Sequence, residues 1–367
     1  MSQAASRGIQ SSNLNAGDRS GSDPGNAESV ATVNMAADMS LESANPVSLA
    51  AVYEPIGEEL KRVQEILRSE LQSETPFVDS LLEHSWLMGG KRIRPVFLLL
   101  SAASCGGIEQ SHLQMAAALE MIHTATLVHD DFLDEAKTRR HRETTNAKWG
   151  PKISVLLGDY LFTHSFHVAS LSGSVDALRM LARASNRVCE GEMRQNAWQG
   201  NFELTEEQYL RMITEKTAEL CGVGCQIGAF LSGAAPELVD GFETYGRNLG
   251  VAFQIIDDVL DIVGTLEDVG KTLGTDLVNQ KPTLPVIHCL EHSDAEAKSA
   301  LIDLLNDSAS TTSDLLMLLE RTDSIQYARQ IAQSHAVAAT KFAQSLEPGK
   351  YSRSLELLAK FVLARTN

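Results

Sequence analysis

Twice in this chain an apolar helical stretch closes on aspartates spaced i, i+1 and i+4. The first reads Leu127-Val128-His129-Asp130-Asp131-Phe132-Leu133-Asp134, the second Phe253-Gln254-Ile255-Ile256-Asp257-Asp258-Val259-Leu260-Asp261. On a helix, i and i+4 lie one turn apart, so Asp130/Asp134 and Asp257/Asp261 each share a face with Cβ atoms about 6 Å apart. Such like charges repel, and acids near a helix C-terminus also oppose the macrodipole. A single cluster reads equally well as a solvated helix end; its recurrence after a second apolar helix favours a shared cation. Mg²⁺ suits carboxylates of this kind, because it takes a few of them, keeps waters and shares the rest of its shell with phosphate oxygens. Asp130, Asp131, Asp134, Asp257, Asp258 and Asp261 are the candidate ligands. An EF-hand is excluded, since no glycine-turned loop or twelfth-position glutamate follows.

The surrounding texture is helical. From Pro46 onward apolar residues recur at helical spacing, as in Leu60, Val63, Ile66 and Leu67, then Leu113, Ala116, Ala117, Leu119 and Ile122. Period-2 alternation with β-branched enrichment is absent. Breaks fall at Gly89–Gly90, Cys105–Gly107, Gly150–Pro151, Gly200–Asn201, Pro236 and Gly264, with long helices between them. The reading is all-α: one large helical domain over residues 46–367, strongly apolar central helices within amphipathic ones, around an apolar cavity. Residues 1–45, rich in Ser, Asn, Gly, Ala and Asp, are expected to be a disordered tail. No apolar run reaches the length of a membrane span, and no secretory signal opens the chain. The five cysteines are scattered without zinc spacing and read as reduced core thiols, so a cytoplasmic setting is expected.

With 31 Lys and Arg against 48 Asp and Glu, the formal charge is −17, which disfavours a nucleic-acid partner. Basic residues nonetheless recur beside the acidic clusters. Gly89-Gly90-Lys91-Arg92-Ile93-Arg94-Pro95 sets cations behind a glycine pair at a helix start. Arg139-Arg140 follow the first cluster, Lys271 and Lys281 follow the second, and Lys216-Thr217 lies between them. The Gly270/Gly274 segment lacks P-loop spacing. Acidic pairs, scattered cations and a long apolar interior together imply a substrate with a diphosphate head and a hydrocarbon tail.

On these motifs, and on Gly191-Glu192-Met193, the chain resembles the trans-isoprenyl diphosphate synthases over about residues 50–367, and within them the long-chain, hexa- to nonaprenyl type such as octaprenyl synthases. The resemblance implies head-to-tail condensation of an allylic diphosphate with isopentenyl diphosphate, three Mg²⁺ ions per site, a homodimer, and a quinone side chain as destination. It assigns Lys216, Thr217, Gln254, Lys271 and Lys281 to catalysis. Lys91, Arg94, His123 and Arg140 would hold isopentenyl diphosphate, and Arg139 would assist the leaving diphosphate. It further makes Ala125, Thr126, Met121 and Phe162 chain-length positions, because short-chain members carry a bulky aromatic near position 125. Two departures stand out: His141 and Gln280 replace glycines usual in the family, which puts local loop shape in question. The competing expectations are a shorter-chain synthase, a class I terpene cyclase, and a non-catalytic subunit of a heteromeric synthase.

Overall fold

Residues 48–264, 279–307 and 312–364 are described by the computed structural model. Lys271 and the expected tail lie outside them. The described helices are α1 (Leu49–Tyr53), α2 (Gly57–Glu70), α3 (Pro76–Leu87), α4 (Ile93–Ser104), α5 (Gln110–Leu133), α6 (Thr145–Trp149), α7 (Pro151–Ser170), α8 (Val175–Ala197), α9 (Glu206–Ile213), α10 (Glu219–Leu231), α11 (Pro236–Val263), α12 (Leu284–His292), α13 (Ala295–Asn306), α14 (Thr312–Glu320), α15 (Ser324–Ser345) and α16 (Lys350–Ala364). A short antiparallel hairpin, β1 (Thr138–Arg139) and β2 (Arg142–Glu143), is the only sheet among the described residues.

Local chemistry sets these boundaries. Glu109 caps α5 in a reciprocal box with His112, and Thr205 does the same for α9 with Gln208. Prolines stand in the first turn of α3, α7 and α11, where the missing N–H costs nothing. Every position from Pro95 to Ala103 in α4 is buried, whereas α2 and α8 bury one stripe each. The central helices are therefore α4, α5 and α10. Helix α5 packs along α7, α10 lies against both α4 and α11, and α15 covers the other side of α11. The described residues belong to one compact unit spanning Asn45–Asn367.

Three details differ from the sequence reading. The stretch after Pro151 is two helices, parted at Leu171–Ser174 by the turn signal Ser172-Gly173-Ser174. Cys189 is exposed on α8, not a core thiol, whereas Cys221, Cys225 and Cys289 are buried. A π-helical turn, Thr214–Ala218, joins α9 to α10.

Candidate active site

The first acidic cluster forms where α5 ends. Asp134 caps the helix, its backbone N–H donating to the Asp130 carbonyl at 2.8 Å. Asp131 points into the protein and accepts from Arg139 Nε at 2.8 Å. Arg139 is presented by the hairpin, whose turn residues Arg140 and His141 both adopt left-handed backbone, φ 51° and 60°. A two-residue turn of this hand matches the strand twist and ordinarily takes glycine or asparagine. His141 holds this conformation without the glycine.

The hairpin reaches across to the Gly89–Pro95 loop. Arg140 Nη1 donates to the Met88 carbonyl at 2.9 Å, and its guanidinium lies so close over Gly90 that a Cβ there would collide with it. Tyr53 holds the loop from the other side, its hydroxyl donating to the Lys91 carbonyl at 2.6 Å. Lys91 Nζ stands 5.3 Å from the ring centre of Phe361 in α16. Of the three cations in this motif, Arg92 is committed to structure: it pairs with buried Glu120 at 2.8 Å and stacks over Trp86. Arg94 keeps a buried Nε with no hydrogen-bond partner. His123 of α5 faces this group. Burial first, then Arg94, Arg140, Arg139 and Arg92, hold its pKa well below the ordinary value. Arg92 and Arg139 are neutralised by Glu120 and Asp131, which leaves Arg94 and Arg140 as the cations beside this imidazole.

Across the cleft stands the π turn. Lys216 Nζ lies 2.5 Å from Glu192 Oε2 and 3.8 Å from Asp130 Oδ2. Burial opposes the charged ammonium, but Asp130 and Glu192 outweigh it and its pKa is raised. Burial likewise pushes the Asp130 carboxyl up to about 6, against the pull of Lys216 and with Glu192 adding to the rise. Thr217 Oγ1 donates to Gln254 Oε1 at 2.9 Å, and Gln254 Nε2 donates to Asp258 Oδ1 at 2.7 Å. Tyr209 completes the chain by donating to Asp258 Oδ2 at 2.6 Å. Lys216 thus touches the first cluster while its neighbour Thr217 is tied to the helix bearing the second. Lys281 closes the ring, its Nζ donating to both Asp134 oxygens at 2.8 and 2.9 Å. Its neighbour Gln280 is left-handed at φ 49°, with its carbonyl accepting from Gly200 N–H at 2.9 Å. Both positions where the resemblance led us to expect glycine therefore carry the backbone that glycine favours.

This donor set fits a hard divalent ion. Asp131 spends an oxygen on Arg139, and Asp258 spends both on Gln254 and Tyr209. Of the remaining four, Asp130 lies beside Lys216, Asp134 accepts from Lys281, Asp257 is partly buried and Asp261 is buried. Among the described residues no three His, Cys, Asp or Glu side chains close into a metal cage. An all-carboxylate set of this kind suits an ion that completes its shell with water and phosphate oxygens.

The family model for polyprenyl synthetase matches residues 75–321. The chain belongs to the polyprenyl synthetase family. It is 34% identical over 321 residues to the octaprenyl diphosphate synthase of Escherichia coli, covering 87% of this chain and 99% of that protein. The decaprenyl diphosphate synthase structure from Rhodobacter capsulatus superposes with a TM-score of 0.81 at 33% identity, covering 86% of this chain and 98% of that one. A polyprenyl synthase from Caulobacter crescentus, solved with calcium and isoprenyl diphosphate, gives 0.82 at 31% identity, covering 88% and 99%. This polyprenyl synthetase is a prenyltransferase.

Of the positions expected to set chain length, Met121, Ala125 and Thr126 lie on α5 before the acidic cluster and Phe162 lies on α7. Met121, Ala125, Ala117 and Ala118 are fully buried, and Thr126 donates to the His123 carbonyl at 2.8 Å. Phe162 of α7 is partly buried and meets Phe166 edge-to-face at 5.3 Å. Helices α5 and α7 approach closely nearer the cluster, where Ser154 donates to the Val128 carbonyl and His129 lies against Gly158. Sequence reasoning gave Glu192 no individual role and missed Tyr53, Glu120 and Tyr209. No local pattern marks them, since each acts through a partner distant in the chain.

Proposed function

We propose that this polyprenyl synthetase is a Mg²⁺-dependent trans-prenyltransferase. It adds isopentenyl diphosphate head to tail to an allylic diphosphate and makes a product of about six to nine isoprenyl units, each about one helical turn long. The observation that supports the reading is two groups of cations, Arg94 and Arg140 near His123 and Lys216 and Lys281 reaching into the Asp130/Asp134 pair. Such an arrangement suits two diphosphates with distinct fates.

Asp130, Asp134, Asp257 and Asp261 would hold Mg²⁺, which when bound supplies charge neutralisation for the departing diphosphate. Lys216, Lys281 and Arg139 add fixed positive charge there, in a partly buried setting where it acts more strongly than in water. Lys91, Arg94, Arg140 and neutral His123 orient isopentenyl diphosphate so that its double bond faces the allylic carbon. The buried wall of Met121 and Ala125 excludes water, which would otherwise capture the allylic cation as an alcohol. Tyr209 and Gln254 fix Asp258 and so set the rotation of α11 that aims Asp257 and Asp261. The expected homodimer is supported by an apolar strip on α7, where Leu156 and Tyr160 are exposed beside Phe132, Pro151 and Val155.

The deciding experiment incubates the protein with Mg²⁺, an allylic primer and labelled isopentenyl diphosphate, then sizes the dephosphorylated products. Acid-labile products of about six to nine units are expected. Cyclised hydrocarbon, or no incorporation, overturns the reading.

A further inference from the structure

Between Glu206 and Leu231 the helical path carries one π turn, Thr214–Ala218. Such a turn adds a residue to the α-helical register and is frequent at functional sites. This one is braced on two sides. A Cβ on Gly191 of α8 would stand 2.6 Å from the Lys216 backbone nitrogen, and one on Gly250 of α11 would stand 2.5 Å from Ala218 Cα. Both ends are pinned by carboxylates one turn apart. Glu215 pairs with Arg211 at 2.9 Å and with Arg194 at 3.0 Å. Glu219 is buried and receives Arg187 at 2.8 Å and Arg247 at 2.9 Å, which ties α8, α10 and α11 together. Between these anchors Lys216 reaches Glu192 and Asp130. Removing the extra residue would rotate Lys216 by about 100° around the helix axis, away from Asp130.

We infer that the braced π turn is the device that positions Lys216 for departure of the diphosphate, and that Gly250 and Glu219 are positioning residues of the reaction. The inference rests on the prenyl-transfer reading, but its test includes an arm that does not. Gly250→Ala drives a methyl against the turn two residues from Lys216. Gly246→Ala, one turn earlier on α11, drives the same methyl against the Cys221 carbonyl in regular α10. A role in packing alone predicts equal damage from the two; a positioning role does not.

The full-length protein and both variants are compared by thermal melting, by steady-state kinetics in each substrate, and by calorimetric titration of inorganic diphosphate with Mg²⁺. Similar melting losses are expected for the two variants. Gly250→Ala should lose about 100-fold in kcat, as misplacement by an ångström can cost, with the isopentenyl diphosphate KM within about twofold. Its diphosphate affinity should fall about tenfold. Gly246→Ala should keep kcat and diphosphate affinity within about threefold. Glu219→Gln, which preserves shape, should shift both quantities in the same direction as Gly250→Ala and serves if that variant does not fold. Equal activity losses in the two alanine variants, or unchanged diphosphate affinity in Gly250→Ala and Glu219→Gln, would overturn the inference. A wild type that binds diphosphate without condensing substrates defeats the prenyl-transfer reading instead, and the titration arm still decides the role of the turn.

Discussion

Asp130 and Asp258 are aspartates of two similar motifs, yet an amide in their places should act oppositely. Asp130 is buried beside Glu192, and its carboxyl is raised to about 6 from an ordinary value of 3.8. Because the folded state binds the proton more tightly, the ionised form is a cost above pH 6 that disappears near pH 4. Asp130→Asn should therefore stabilise the metal-free protein by about 1–2 kcal/mol at pH 8 and by little near pH 4, while abolishing most turnover. Denaturant titrations in chelator at the two pH values check this; equal effects at both would refute the assigned burial cost. Asp258 instead accepts from Tyr209 and Gln254, so Asp258→Asn should destabilise by about 2 kcal/mol at neutral pH. Only part of this was legible beforehand. The i, i+1, i+4 spacing identified six acids, but not that Asp131, Asp258 and Asp261 are buried, nor that Arg139, Tyr209 and Gln254 hold the first two of these.

Among the elements, α5 carries the strongest consequence. Its cluster-proximal end holds Asp130, and Ala125 lies five residues back, about 7.5 Å along the axis at 1.5 Å per residue. With Met121 and Ala117 buried beyond it, the helix offers a wall of small or pliable side chains. Ala125→Tyr should shorten the products to three or four units with activity retained, as resolved by chain-length chromatography. An unchanged distribution would show that Ala125 is only a close contact between helices, of the kind His129 makes with Gly158. Most helix limits were readable from Gly and Pro breaks and from capping residues. The π turn was not, because Thr-Glu-Lys-Thr-Ala reads as ordinary helix and the glycines that make room for it lie far off in the chain, on α8 and α11. The hairpin escaped for a related reason: its turn uses Arg140 and His141 where glycine would have announced it.

For the whole molecule, a chain of net charge −17 must take up anionic substrates. Its cleft carboxylates repel diphosphate until a cation is shared between them, so metal and ligand should bind cooperatively. Mg²⁺ with inorganic diphosphate should raise the melting temperature clearly more than the sum of either alone. At a ligand excess of 100 times its Kd the linkage is worth about 2.7 kcal/mol. Scanning calorimetry with each component singly and together is the check, and purely additive shifts would argue against a shared site. Quaternary assembly is tested at the same scale: Leu156→Glu should convert a dimer to monomer in sedimentation, because it charges the exposed apolar strip of α7.

The clamp on Lys91 has a consequence for how the protein is made. One jaw, Tyr53, lies near the start of the described chain, and the other, Phe361, lies in its last described helix. A ribosome-bound nascent chain has the first jaw early but lacks the second until α16 has been made. The Gly89–Pro95 loop of a nascent polypeptide therefore stays half-held until α16 emerges, and termination anywhere before α16 should leave a product unable to complete the clamp.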